Sequence, residues 1–164
     1  MGRARIAGAL VALVIAASAM TATTATAAPV RGGKAEQAAC FFPKTKFLFH
    51  AGLAFGAFHR YIYKPFKAGT FTGPNKVTAI AKAALAGLFV YHEVGEALKQ
   101  AQCSHTLAVL VSPLTALSSA IKAAADKLKA GGLPDITSLG KSFDQIGSTA
   151  GGIGVPIKDI VHNL

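Results

Sequence analysis

The stretch Ala68-Gly-Thr-Phe-Thr-Gly-Pro74 separates two long helix-like segments, one on either side of it. Glycine and threonine suit a turn, and Pro74 suits the first turn of a new helix, because its φ is already helical and a missing N–H is harmless there. Apolar helices joined by a short connection pack side by side. The stretch therefore predicts an antiparallel helical hairpin.

The two cysteines of the chain support this hairpin. With Phe71 taken as the middle of the turn, Cys40 before it and Cys103 after it lie at almost equal distances along the chain. Residues at equal distances from the turn of an antiparallel hairpin lie at the same height. We therefore predict a Cys40–Cys103 disulfide at the open end. It closes a loop of about 62 residues and contributes about 4 kcal/mol in the chain-entropy model.

The first helix of the hairpin is predicted over residues 44–66. On a wheel of about 100° per residue, four of its polar side chains share one sector: Lys46, His50, Arg60 and Lys64. Apolar side chains fill the rest of the circumference, and Gly52 and Gly56 form a notch of small residues. Such a helix is typical of the centre of a bundle, and the alternative is a helix that lies in a membrane.

The second helix is predicted over residues 75–102 and is amphipathic. The face expected to enter the core carries Val77, Ile80, Ala84, Leu88, Tyr91, Val94 and Leu98. The opposite, polar face carries Lys82, Glu93, Glu96 and Gln100. We expect the apolar face to pack against the first helix.

A short apolar helix is expected over residues 104–111, followed by a third main helix over residues 113–130. A membrane-spanning stretch over residues 104–121 is the alternative, which Ser, Thr and Pro113 weaken. The core residues of the third helix are expected to be Leu114, Leu117, Ile121, Ala124 and Leu128. The glycines that follow, Gly131 and Gly132, are expected to end it.

A last helix is predicted to begin after Asp135, which suits the N-cap position. Its expected core residues are Ile136, Leu139, Phe143 and Ile146. The glycine-rich residues 148–156 are expected to be irregular, with a final turn over residues 156–161. The predicted fold class is all-α, a small helical bundle of three to five helices built on the disulfide-closed hairpin.

The beginning of the chain, residues 1–27, has the order of a secretory signal peptide. Arg3 and Arg5 precede an apolar stretch over residues 6–20, and small residues follow as far as Ala25-Thr-Ala27. The apolar stretch is shorter than the roughly 20 residues that span a bilayer. We therefore predict cleavage after Ala27 and export to a compartment in which a disulfide persists.

The predicted organisation has three parts: a signal peptide over residues 1–27, an N-terminal extension over residues 28–43 that carries Cys40, and a single helical domain over residues 44–164. Loss of the two leader arginines lowers the net charge from +10 to about +8. A basic exported protein is attracted to anionic lipid or envelope polymer, whereas nucleic acid is not expected. The alternative is a charge that only keeps the protein in solution, and the sequence leaves the oligomeric state open.

Residues 41–71 hold ten of the thirteen aromatic residues and no acid. The basic residues among them are Lys44, Lys46, Arg60, Lys64 and Lys67. Aromatic rings and basic side chains together suit the interface of an anionic membrane, and they equally suit a core helix with a basic edge. We expect the rings to pack in the core and the five basic residues to form the surface-binding group.

A metal site of His50, His92 and Glu96 is a weaker hypothesis. His50 and His92 lie at equal distances on either side of Phe71, Glu96 is one turn from His92, and zinc accepts these ligand types. The helical wheels do not turn the two histidines toward each other. The alternative is two histidines near a Lys46–Glu96 surface contact.

His59 is expected to be a buried, hydrogen-bonded histidine. His59 and the Gly52/Gly56 notch beside it are expected to line a pocket if the protein holds a small apolar ligand or a metal between its helices. No cofactor is predicted. The sequence lacks a Gly-x-Ser-x-Gly nucleophile motif and a convincing pair of acids, so we expect no enzymatic activity.

These observations predict a small secreted, non-enzymatic helical protein that associates with an anionic cell-envelope or membrane surface. The alternative is a secreted binding module that holds a small apolar ligand or a metal between its helices.

Overall fold

A computed structural model describes residues 40–160 of the chain. The predicted signal peptide over residues 1–27 and most of the N-terminal extension over residues 28–43 lie outside the described residues. The last residue of the expected final turn, Val161, also lies outside them.

The described residues are mainly helical and include no strand, which confirms the all-α fold class. The α-helices are α1 (Pro43–Phe58), α2 (Lys64–Lys67), α3 (Lys76–Gln102), α4 (Val111–Lys129) and α5 (Ile136–Gly152). A π turn (His59–Tyr63) joins α1 to α2, and a 3-10 helix (His105–Leu110) leads into α4. Four of the α-helices, all except the one-turn α2, pack together as a bundle.

The helices α1 and α3 form the predicted antiparallel hairpin. A disulfide joins Cys40 to Cys103, with an S–S distance of 2.05 Å and a Cα–Cα distance of 5.3 Å. His50 lies ten residues after Cys40, and Glu93 lies ten residues before Cys103. These two side chains contact each other. Both pairs have the register of an antiparallel hairpin, so the disulfide and the topology are confirmed.

A π turn of five residues, His59–Tyr63, interrupts the first helix of the hairpin. A π turn holds one residue more than an α turn, so side chains beyond it are displaced by about 100° from an uninterrupted wheel. In the predicted sector of Lys46, His50, Arg60 and Lys64, Arg60 lies within this turn and Lys64 beyond it, so Lys64 is displaced from the face of Lys46 and His50. His50 lies half-buried against α3, whereas Arg60 and Lys64 are exposed.

The packing face of α3 is rotated from the predicted one. Its buried residues are mostly small: Ala83, Ala86, Gly87, Val90, Val94, Ala97 and Ala101. Glu93 and Gln100, which were predicted on the polar face, are buried as well. Of the predicted core face only Val94 is fully buried, and Val77, Leu88 and Tyr91 are exposed. Small side chains let neighbouring helices approach closely, and a Cβ added at Gly87 would lie 3.3 Å from the Cβ of Ala125 in α4. Close approach on two sides, by α1 and α4, decides this face.

The core residues predicted for α4 and α5 are confirmed, and so is the Asp135 cap. The backbone N–H of Ser138 donates to Oδ1 of Asp135 at 3.0 Å, and the chain leaves α4 through Gly131 at a φ of 77°. The aromatic ring of Phe143 stacks on that of Phe58 at 4.2 Å, which joins α5 to α1.

The prediction that residues 148–156 are irregular was wrong for their first part, because α5 continues to Gly152. The apolar stripe of α5 extends through buried Ala150. A Cβ at Gly147 would lie 3.3 Å from the ring of Phe55, so this glycine of α5 allows close packing against α1.

The expected final turn over residues 156–161 is not formed as far as Ile160. Residues 155–160 have no regular secondary structure and cross the surface of α1. We call these six residues the C-terminal segment. Val155, at its beginning, is buried.

Candidate functional site

The aromatic residues over positions 41–71 divide into a buried group, an exposed group and three that are half-buried, Tyr61, Tyr63 and Phe66. Core packing is confirmed for Phe47, Phe55, Phe58 and Phe71. The exposed group lies at the start of α1, where the fractional exposures are 65% for Phe41, 65% for Phe42 and 53% for Phe49. We call these three residues the aromatic end of α1.

The backbone at Phe42 is strained. Its φ and ψ are both 54°, and within residues 40–160 it is the one non-glycine residue with a positive φ. A side chain in this left-handed region costs about 1 kcal/mol or more. The disulfide at Cys40 and the helix that begins at Pro43 hold Phe42 from both sides. Its ring meets that of Phe41 edge to face at 4.3 Å, and both rings remain exposed.

Only some of the predicted surface-binding residues lie near the aromatic end. Lys44 is exposed and Lys46 half-buried in the first turn of α1. Lys158 of the C-terminal segment, which was not predicted, lines a shallow apolar groove together with Phe49. The three lysines and the three rings thus occupy the same part of the molecule.

Arg60, Lys64 and Lys67 form a second, separate basic group. Arg60 lies more than four helical turns beyond Lys44, about 24 Å along a helix. Its guanidinium lies 5.6 Å from the ring centre of Tyr61, and the ammonium of Lys67 lies 5.8 Å from that of Tyr63. The five predicted residues are therefore divided between the two ends of the first helix.

His50 contacts Glu93. The residue expected at the same height as His50 in the hairpin was His92, which directly precedes Glu93 in the chain. The Nδ1 of His50 lies 2.7 Å from Oε2 of Glu93, and the exposed fractions of the two side chains are 24% and 8%. Glu93 was predicted to lie on the polar face of α3. Its distance from Phe71 along the chain, which almost equals that of His50, was the signal that could have identified the pair.

The three predicted metal ligands are not assembled into a site. His92 is exposed, and Glu96 pairs with Lys99 of its own helix at 2.6 Å instead of with Lys46. The hydrogen bond from Lys99 lowers the pKa of Glu96; partial burial opposes this, and the charges of Lys99, His50 and His92 add to it. Among residues 40–160, no group of three His, Cys, Asp or Glu side chains could hold a metal ion.

His59 is hydrogen-bonded, as expected, but it lies at the surface and not in the core. Its Nδ1 lies 2.7 Å from Oδ2 of Asp159 in the C-terminal segment, and its side chain is 29% exposed. Asp159 lies 100 residues further along the chain. Nothing in the sequence near His59 could have indicated this partner.

The Gly52/Gly56 notch is filled by the C-terminal segment. The N–H of Ile160 donates to the carbonyl of Gly52 at 2.9 Å. A Cβ added at Gly56 would lie 2.1 Å from the carbonyl oxygen of Ile160. The two glycines therefore admit a peptide backbone of the same chain at the place where a small ligand was predicted.

Two helical stretches of the described part are long and apolar enough to span a membrane, by length and composition alone. They are Lys76–Gln102 and His105–Lys129. Core helices of a bundle have the same property, and both stretches bury one face against their neighbours. The alternative of a membrane-spanning stretch over residues 104–121 stays a prediction.

The comparisons with known proteins found no matching family, no similar curated protein and no similar solved structure.

Proposed function

We propose that this is a secreted, non-enzymatic protein that binds anionic membrane or cell-envelope surfaces through the aromatic end of α1. The observation that supports it is the exposure of Phe41, Phe42 and Phe49 beside lysines. Such rings enter the boundary between lipid headgroups and acyl chains, where lysines meet lipid phosphate.

The strained backbone of Phe42 supports the same proposal. Strain of this kind tends to be kept at functional sites, where the surrounding structure holds it in place. Here it presents two adjacent rings to solvent at one end of the bundle. A glycine at this position would form the turn without strain.

The energies fit reversible surface binding. Full burial of a phenylalanine side chain contributes about 1.5–3 kcal/mol, and each lysine near an anionic surface about 1 kcal/mol. Partial insertion of the rings, helped by two or three lysines, gives several kcal/mol. This is enough for peripheral association without a permanent anchor.

Co-sedimentation with lipid vesicles tests the proposal. The exported protein is mixed with vesicles of phosphatidylglycerol or of phosphatidylcholine, at low and at high salt. We expect binding to the anionic vesicles alone, and weaker binding at high salt because salt screens the lysines. Equal recovery in the supernatant under all four conditions would overturn the proposal.

Matched variants locate the contact. In Phe41→Ser/Phe42→Ser, the loss of two rings is expected to weaken vesicle binding more than about tenfold. The control is Val109→Ser, which changes an apolar side chain of similar exposure, 55%, on the 3-10 helix. Equal binding by both variants would exclude the aromatic end as the contact.

A further inference from the structure

A second apolar surface lies along α3. Because the packing face of α3 is rotated, large apolar side chains remain outside the core, with exposed fractions of 75% for Val77, 68% for Leu85 and 41% for Leu88. They line a groove between the first half of α3 and the end of α4. We call it the α3 groove, and its apolar walls are Val77, Ile80, Ala84, Leu85, Leu88 and Leu128.

The shape of the α3 groove suits one extended hydrocarbon chain. Its volume is about 620 Å³, within the range of roughly 300–1,000 Å³ that is usual for ligand sites. From Val77 to Leu88 it extends for three helical turns, about 17 Å along the helix. An apolar groove of this length fits an acyl chain better than a compact ring system.

Two lysines make the α3 groove positively charged. Lys76, at the first residue of α3, and Lys129, at the last residue of α4, both line it. The start of α3 has no side-chain cap and no acid in its first turn, so the helix dipole also favours a negative group there. Asp126 offsets part of this charge, since it contacts Lys129 at 3.5 Å and Lys122 at 3.0 Å.

We infer that the α3 groove binds a long-chain fatty acid, with the acyl chain along Val77 to Leu88 and the carboxylate against Lys76 and Lys129. This site is separate from the aromatic end of α1 and does not depend on the proposed function. The positive charge of the groove disfavours a second copy of the chain, which would bring further lysines to this face. A single carboxylate complements it.

Calorimetric titration of the exported protein tests the site. Dodecanoate is added below the concentration at which it forms micelles, and dodecyltrimethylammonium serves as a cationic ligand with the same chain. We expect one dodecanoate to bind per protein, at least about tenfold more tightly than the cation. No binding of dodecanoate, or equal binding of both ligands, would overturn the inference.

Variants at exposed positions connect the binding to the groove. Leu85→Asp and Lys76→Glu change side chains at the surface, and circular dichroism checks that each variant is folded. Each is expected to weaken dodecanoate binding at least about tenfold. Val109→Asp, outside the groove, is expected to bind like the unchanged protein. Unchanged binding by Leu85→Asp would overturn the inference.

Two further measurements distinguish other occupants of the groove. A dimer without ligand that Leu85→Asp dissociates would assign the face to a second copy of the chain, against the inference. Loss of vesicle binding in Leu85→Asp would assign it to the membrane, also against the inference. Phe41→Ser/Phe42→Ser is expected to keep its affinity for dodecanoate, so the inference can fail or hold independently of the proposed function.

Discussion

At the scale of single residues, the polar contacts of this protein join parts of the chain that are distant in sequence. His50 joins α1 to α3 through Glu93, and His59 joins the π turn to the C-terminal segment through Asp159. The first contact differs in kind from the second because Glu93 is buried. A buried carboxylate without a hydrogen-bonding partner is costly, so His50 is important for the stability of the hairpin.

Replacement of His50 tests this role. We expect His50→Ala to lower the free energy of unfolding by about 1–3 kcal/mol, because Glu93 stays buried without its partner. The double variant His50→Leu/Glu93→Leu is expected to recover most of that loss, since it removes both polar groups. Urea denaturation measures both, with His105→Ala as an exposed histidine control. A His50→Ala protein as stable as the control would contradict the account.

Gly56 is expected to be needed for docking of the C-terminal segment. In Gly56→Ala the new Cβ would meet the backbone of Ile160, so the segment must move. We expect faster hydrogen exchange of residues 157–160 by mass spectrometry. The control Gly95→Ala has no neighbour within 4 Å of its new Cβ, and it should stabilise α3 by up to about 1 kcal/mol. Unchanged protection of these residues in Gly56→Ala would show that the segment is not docked at the notch.

At the scale of elements, α3 shows what hydrophobic pattern alone misses. The wheel assigned the largest apolar side chains to the core, but α3 packs between α1 and α4 through alanine and glycine. Small residues score weakly in a hydrophobic pattern, although they allow the closest helix contacts. For α4 and α5 the pattern was sufficient, because Leu and Ile there coincide with the packed face.

Two substitutions in α3 distinguish the observed face from the predicted one. Ala86 is buried, and we expect Ala86→Leu to cost about 1–3 kcal/mol through overpacking. Val77 is exposed, and we expect Val77→Ala to change the free energy of unfolding by less than about 0.5 kcal/mol. Thermal and urea denaturation measure both. A larger loss of stability in Val77→Ala than in Ala86→Leu would support the core face that the helical wheel predicted for α3.

The cap of α5 gives the bundle a dependence on acid pH. Hydrogen bonds from the backbone and side chain of Ser138 lower the pKa of Asp135 below its usual value. The stabilisation is therefore present above the ordinary carboxyl pKa of about 4, and it is lost as the pH falls through the lower folded-state pKa.

Urea denaturation across a series of pH values tests this cap. Asparagine also caps helices but does not titrate. Below about pH 4, Asp135→Asn should therefore lose less stability than the unchanged protein. Asp135→Ala should destabilise the protein at neutral pH as well. Asp144→Asn, an exposed change on the same helix, is the control. An unchanged pH dependence in Asp135→Asn would exclude a contribution from this cap.

At the scale of the whole molecule, the topology could be predicted because it depends on symmetry about one turn. Cys40 and Cys103 lie at nearly equal distances from Phe71, and this relation gave the hairpin, its register to within one residue, and the disulfide. The docking of the C-terminal segment could not be predicted. It depends on a backbone-to-backbone approach at Gly52 and Gly56, between parts of the chain about 100 residues apart.

The sequence predicted only part of the candidate site, because the burial of each ring depends on how the helices pack around it. Composition showed that rings and basic residues share one helix, but it could not show which rings the bundle covers. Arg60, Lys64 and Lys67 lie at the other end of the first helix, more than four helical turns beyond Lys44. What remains at the aromatic end is a smaller group of three exposed rings, with Lys158 contributed by the C-terminal segment.

The most direct test of the central claim follows the aromatic end into a membrane. The chain contains no tryptophan, so Phe41→Trp places a single fluorescent reporter there, and Val109→Trp places one on the 3-10 helix. With phosphatidylglycerol vesicles we predict a blue shift of emission for Phe41→Trp and none for Val109→Trp, because only the first ring enters an apolar environment. No shift at position 41, or equal shifts at both positions, would contradict the account.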